Sequence, residues 1–275
     1  MQKIEFNNVN PYAVLVVLLF FICASLRAQA DELITANKII DNVEAVPEGL
    51  HATSKLFMKM VDKRGKVRER ETINYRKYFG EEKRTVLFYT SPNNVKGTGF
   101  LTYDYPSVET DDDQWLYLPA LRKVRRISAS DRGDYFLGTD FTYEDIKQSG
   151  KVDKRDYNFS LLGEDVLDGV ASYRLSAVPK NEKIAKELGY GKLSIWVDKS
   201  NWVILKIDYW DKKGKSLKTY TAAEIVKIEG VWTRQVMEVK NHITGHHSRF
   251  EFKNVDYSTP VNNKKFAVQA LNRGS

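Results

Sequence analysis

Leu193-Ser194-Ile195-Trp196-Val197, followed after the polar turn Lys199-Ser200-Asn201 by Val203-Ile204-Leu205-Lys206-Ile207-Asp208-Tyr209, decides how this chain folds. Leu193, Ile195 and Val197 recur at every second position, as do Val203, Leu205, Ile207 and Tyr209, while Lys206 and Asp208 fall between them. A period of two is that of a β-strand, whose successive side chains point to opposite faces. One face of this hairpin is therefore uniformly apolar. Such a face is ordinarily core packed against helices. It becomes a ligand wall only where the covering helices leave a concavity unfilled.

The same rhythm extends in both directions. Towards the C-terminus, Ser216 to Ile228, Val231 to Asn241 and His246 to Val255 read as strands, joined at Lys212-Lys213-Gly214 and Glu229-Gly230. Upstream, Tyr157 to Gly163 and Val170 to Val178 flank the turn Leu167-Asp168-Gly169. Earlier still, Leu56, Met58 and Met60 alternate with Lys55, Phe57 and Lys59 ahead of the turn Asp62-Lys63-Arg64-Gly65, and a long polar strand returns through Val67 to Phe79. Further strands are expected at Thr85 to Thr90, Phe100 to Tyr105, Gln114 to Leu118 and Lys123 to Ile127. Helical spacing is confined to Asp31 to Val46, a short piece at Asp140 to Ile146, and a segment opened by Pro179 and closed by Gly189. Roughly eleven strands with two or three helices predict a mainly β chain (α+β): one half-open, strongly curved antiparallel β-barrel covered by a small helical lid.

The N-terminus carries a different signal. Ala13 to Ala24 are uninterruptedly apolar, Lys3 precedes them, and Ala28-Gln29-Ala30 follows as a small-x-small cleavage pattern. The run falls short of the ~20 apolar residues that span a bilayer. Residues 1–30 are expected to be a cleaved signal peptide, with residues 31–275 forming a single domain in the periplasm. The only cysteine, Cys23, lies inside that apolar run, so thiol catalysis and disulfides are not expected of the exported chain. The net charge of +7 is spread along the sequence rather than gathered in a stripe or arm, which argues against nucleic acid.

Signatures of chemistry are missing. No G-x-S-x-G elbow, phosphate-binding glycine loop, G-x-G-x-x-G or H-E-x-x-H occurs. His246 and His247 are adjacent on a strand and point to opposite faces, so no metal is expected. Asp111-Asp112-Asp113 reads as a solvated hairpin tip. Glu144 and Asp145 read as cap and surface charge rather than as a hydrolytic pair. Neither enzyme activity nor a cofactor is expected.

One hairpin is distinctive. Gln114-Trp115-Leu116-Tyr117-Leu118-Pro119-Ala120-Leu121-Arg122-Lys123-Val124-Arg125-Arg126-Ile127, followed by Gly138-Thr139-Asp140-Phe141-Thr142-Tyr143-Glu144-Asp145-Ile146, resembles the signature of the outer-membrane lipoprotein-sorting family related to the carrier LolA. The likeness runs in looser form over nearly all of the chain after Asp31. It implies a half-open β-barrel whose concave face accepts acyl chains of a lipoprotein or lipid, with a resistance-nodulation-division (RND) exporter as a possible inner-membrane partner.

From alternation and this motif, the expected cavity lining is Leu56, Met58, Met60, Phe88, Leu101, Tyr103, Leu116, Leu118, Leu193, Ile195, Val203, Leu205 and Ile207. Arg122, Arg125 and Arg126 are expected to meet a head group or partner at the mouth, since guanidinium suits phosphate. A solvated edge that discourages sheet-to-sheet pairing is the competing role for these cations. The chain is expected to be a monomer with peripheral membrane contact. Two functions compete: a carrier that shuttles acylated cargo towards the outer membrane, and a sensor or adaptor that binds a transporter or signalling protein.

Overall fold

The structure, a computed structural model, describes residues 34–107 and 110–273. Residues 1–30, expected from the sequence to be a signal peptide, lie outside the described residues. Thirteen strands, two more than expected, form one antiparallel sheet: β1 (His51–Val61), β2 (Val67–Phe79), β3 (Glu82–Ser91), β4 (Gly99–Asp104), β5 (Asp113–Leu118), β6 (Lys123–Ile127), β7 (Tyr157–Leu167), β8 (Val170–Pro179), β9 (Lys192–Asp198), β10 (Ile204–Trp210), β11 (Ser216–Ile228), β12 (Val231–Asn241) and β13 (His247–Asp256). Their spatial order is β6-β5-β4-β3-β2-β1-β13-β12-β11-β10-β9-β8-β7. β1 pairs with β13, so two hairpin meanders fuse at their far ends, and β6 and β7 are left as free edges. The sheet is curved and open, with few helices.

The helices are short. α1 (Ala36–Ala45) is shorter than its predicted span, ending before Pro47, and buries Ala36, Ile39, Ile40 and Val43 on one stripe. α2 (Tyr143–Gln148) starts three residues later than the predicted Asp140, because a capping box between Thr142 and Asp145 fixes its first turn. α3 (Glu182–Leu188) is capped by Asn181 and stopped by Gly189 in the left-handed conformation. Pro179, expected to open that helix, instead ends β8.

Residues directly opposite in neighbouring strands share a face of the sheet. Following the register inward from Leu56, one face carries Leu56, Thr72 and Tyr89, and beside them Asn74, Leu87, Phe100 and Leu116. The opposite face carries Val86, Leu101 and Trp115. Both faces are buried in β3 and β4 because the C-terminal tail covers the outer one. Val261, Phe266 and Leu271 of that tail pack with Val86, Phe88 and Leu101 in a cluster bordered by Tyr103, Trp115 and Tyr117. Tyr103 donates its hydroxyl to the Phe266 carbonyl at 2.6 Å, and the Phe79 ring meets Phe266 edge-on. Arg84 lies 3.9 Å above the Tyr103 ring and 4.5 Å above that of Phe79.

The tail is thus a structural strap. Phe266, wholly buried, is its main anchor; replacing it with alanine is expected to cost about 3–5 kcal/mol in urea denaturation, whereas alanine at exposed Leu50 should change stability by less than about 0.5 kcal/mol.

Candidate functional site

The inner face of the sheet is crossed by residues 128–153, which include the Gly138–Ile146 part of the sequence signature. This segment lacks strand partners for most of its backbone, so its polar groups must be satisfied by side chains from the sheet. Arg70 donates to the Leu137 carbonyl at 2.6 Å and Arg68 to that of Gly138 at 3.3 Å. Lys218, almost wholly buried, donates to the Asp140 carbonyl at 3.1 Å and to the Asp145 carboxylate at 2.6 Å. Ser248 accepts from the Asp140 amide at 3.0 Å and donates to the Asp140 carboxylate at 2.7 Å, and His246 contacts the same carboxylate. Asn241 reaches the Tyr135 hydroxyl at 2.9 Å, and Arg234 donates to the Ser149 carbonyl at 2.7 Å. Phe141 stacks on Phe250 with ring centroids 4.1 Å apart, and Phe136 packs on Phe100 at 5.0 Å.

Beside this segment lies a cavity of about 1080 Å³, its open mouth included. Its apolar wall comes from Leu56, Leu87, Ile146, Trp232, Met237, Phe250 and Phe252, and its rim from Glu48, Arg76, Lys83, Lys147 and Arg234. Sheet register explains the gradient: Ala52, Arg76 and Thr85 share one row, Ser54, Asn74 and Leu87 the next, and Phe252, Leu56 and Thr72 the third. Polarity therefore falls row by row from rim to floor.

The rim is a connected ionic cluster. Glu48 contacts Lys151 at 2.9 Å, Lys83 at 3.7 Å and Arg76 at 3.8 Å. Burial alone would raise the Glu48 pKa, but the fields of Lys83, Lys151 and Arg76 outweigh it and hold the carboxyl well below its ordinary value. Lys83 also pairs with Asp104 at 3.0 Å. Lys147 pairs with Asp112 at 2.6 Å and with Glu144 at 2.9 Å; burial opposes its charge, yet Glu144, Asp112 and Asp104 raise its pKa. Arg155 joins Asp112 at 2.7 Å to Asp153 at 2.6 Å. Asp112, expected in a solvated tip, is thus a buried bridging group, drawn inward because Lys147 and Arg155 would otherwise be desolvated without partners. Glu144, Asp153 and Asp156 lie close enough together to suggest a metal site, but Lys147, Arg155 and Arg132, the last bidentate to Asp156 at 2.8 and 3.0 Å, already neutralise them.

The expected cavity residues separate into groups. Leu56 lines the main cavity. Met58 and Met60 are on the same face but fully buried, and the Tyr89 hydroxyl points at the Met58 sulfur, 3.6 Å away. Leu116 is buried on the inner face beside Phe100, and Leu118 lines a separate cavity near the β5–β6 turn. Phe88, Leu101 and Tyr103 face the other way, under the C-terminal tail; the run Val86-Leu87-Phe88-Tyr89 is apolar on both parities, so alternation could not assign its sides. Leu193, Ile195 and Ile207 share a face and are wholly buried core. In β10 a register shift between Ile204 and Lys206 puts Ile204 opposite Val197, so Leu205 occupies the irregularity and Val203 precedes the strand.

Arg125 and Arg126 are exposed and already paired, with Asp131 at 2.9 Å and with Asp113, respectively. Arg122 is exposed and lies at the β5–β6 turn, away from the main cavity. Sequence reasoning missed Leu87, Trp232, Met237, Phe250 and Phe252 as wall residues, and the ionic rim altogether. The alternation of Met237 with Val239 and of Phe250 with Phe252 was available as a signal; the rim was not, because Glu48, Lys83 and Lys151 are far apart in sequence.

A family model described only as "Uncharacterized protein" matches residues 81–273. The structure is similar to that of a DUF1329 family protein from Desulfovibrio piger, at 31% identity and a TM-score of 0.78, over 86% of this chain and 98% of that one. It is also similar to a domain named for outer membrane lipoprotein sorting from Vibrio parahaemolyticus, at 27% identity and a TM-score of 0.77, over 86% and 97% of the two chains. The chain belongs to the DUF1329 family. A LolA superfamily protein from Nitrosomonas europaea, 18% identical, shares the fold with a TM-score of 0.63 over 85% of this chain and 98% of its own. No curated protein matches this family member.

Acid should act on the rim first. The Glu48 pKa is depressed on folding, so its contribution to stability is present above the unfolded-state value near 4.5 and is lost as pH falls through the lower folded-state value. Glu48→Gln is expected to destabilise the protein at pH 7 by about 3 kcal/mol and to flatten the fall in melting temperature below about pH 5. Equal acid sensitivity in variant and parent would show that Glu48 does not carry this dependence.

Proposed function

We propose that this protein is a non-catalytic periplasmic carrier that holds the acyl chain of a lipid or lipoprotein in the inner cavity and moves it towards the outer membrane. The observation that carries this reading is the cavity itself: an apolar wall of Leu56, Leu87, Trp232, Met237 and Phe252 beneath an ionic rim has the polarity profile of an amphiphile. The Vibrio domain named for lipoprotein sorting supports the cargo class. In this reading residues 128–153, with α2, act as the lid. Ile146 faces the cavity from α2, so cargo and lid share one wall, and the cavity enlarges if the lid lifts from Phe250.

The carrier acts as a monomer, and an inner-membrane exporter of the RND type is the partner that would supply its cargo. The wholly buried Leu193, Ile195 and Ile207 take no part in binding.

Delipidated protein titrated with a fluorescent fatty acid tests the assignment. Ile146→Asp, which places a carboxylate in the wall without emptying the core, is expected to weaken binding at least tenfold while leaving the melting temperature within a few degrees. Lipid extraction from protein purified without detergent should yield stoichiometric acyl material. A protein that neither carries lipid nor takes up the probe is not a carrier, and the sensor or adaptor reading would then stand in its place.

A further inference from the structure

The β5–β6 hairpin has a composition that neither the fold nor the inner cavity explains. It ends in a 3₁₀ turn, Pro119–Leu121, followed by Arg122 in the left-handed conformation at φ 49°. Leu121 is 64% exposed and Val124 37% exposed, with Ala120 also exposed between Pro119 and Leu121. Arg122 and Lys123 are exposed alongside them. The neighbouring turn at Pro92–Gly97 packs against the same tip, since a Cβ at Gly97 would sit 3.4 Å from Pro119, and it brings exposed Lys96 beside the hairpin. Arg125 and Arg126 are paired with Asp131 and Asp113. Among the described residues, Lys96, Arg122 and Lys123 have no acidic partner. β6 is also the last strand of the sheet, with no neighbour beyond it.

We propose that this hairpin tip docks the protein on an anionic lipid bilayer, with Leu121 and Ala120 entering the head-group region and Lys96, Arg122 and Lys123 meeting lipid phosphates. Two independent features favour a bilayer over other occupants. The first is charge complementarity: unpaired cations beside a projecting apolar residue suit an anionic interface, where each Lys or Arg near the surface adds to attraction and the apolar side chain leaves water. The second is a separate open pocket at this tip, whose mainly apolar wall includes Leu118, Pro119, Ala120, Leu121, Leu137 and Val95, with Arg70 and Asn94 also lining it. Docking at Leu121 would set the mouth of that apolar space against the membrane. A soluble protein partner would need a complementary acidic surface, and nothing in the cavity's position requires one.

Vesicle flotation tests the assignment with the full chain and two variants, Leu121→Glu and the double variant Arg122→Glu with Lys123→Glu. The protein is expected to float with phosphatidylglycerol vesicles and to stay at the bottom with phosphatidylcholine vesicles. Each variant should lower binding about tenfold or more while circular dichroism and melting temperature stay unchanged, and raising the salt concentration should weaken the parent's binding. Equal flotation with both lipids, or variants that float like the parent, would overturn the proposal. So would a hairpin that binds no vesicles but is protected from hydrogen exchange by a protein partner. Because lipid uptake by the inner cavity is measured separately with the fluorescent fatty acid, loss of docking and loss of cargo binding are distinguishable outcomes.

Discussion

The stacking of Phe141 on Phe250 is the contact on which the inner architecture depends. An open sheet with two free edges has no second sheet to cover its apolar side, and the chain solves this by laying residues 128–153 across its own strands. That segment arrives with unpaired backbone groups, a cost that would defeat burial unless the sheet supplied hydrogen-bond donors and acceptors at matching positions. Arg68, Arg70, Lys218, Ser248 and Arg234 do so from four strands, while Phe136 and Phe141 anchor the apolar half. The signature Gly138–Ile146 is therefore the covering element of the sheet, which gives a physical reason for its composition: small residues where it turns, aromatics where it lands, and acids where α2 begins.

The same arrangement accounts for the cavity. A short six-residue helix cannot fill the width of a curved sheet, so space remains between α2 and strands β1, β2, β12 and β13. The rim of that space cannot be apolar, because α2 and residues 151–156 bring Lys147, Lys151, Asp153 and Arg155 to it. Those charges are buried only because each finds an opposite partner. Such pairs add little net stability beyond offsetting their desolvation, but removing one member is costly. The rim thus fixes the position of residues 143–156 more than it strengthens the fold, and it leaves the apolar wall as the part with unspent capacity for contact.

Much of the fold was legible because antiparallel hairpins announce themselves locally. Period-two alternation in β1 and β9, the turns Asp62-Lys63-Arg64-Gly65, Leu167-Asp168-Gly169 and Glu229-Gly230, and the helix stop at Gly189 each depend on a few adjacent residues. The site was less legible because a cavity depends on which parity faces inward over many strands. Phe88, Leu101 and Tyr103 were assigned to the wrong face, since Val86 to Tyr89 are apolar at every position and the C-terminal tail that covers the outer face has no periodic pattern to reveal it. The register shift in β10 defeated alternation at Leu205 for a related reason: a single irregularity between Ile204 and Lys206 breaks the parity that Ile207 and Tyr209 keep. Asp112 could not be placed without knowing that Lys147 and Arg155, more than thirty residues later, would reach it.

A photo-reactive fatty acid, irradiated with the protein and mapped by peptide mass spectrometry, tests most directly whether the inner cavity holds an acyl chain. Adducts concentrated on Leu56, Leu87, Trp232 and Met237, and competed away by unlabelled fatty acid, are the predicted result. Adducts confined to exposed apolar positions such as Leu162 and Val166, or labelling that competitor does not reduce, would contradict it.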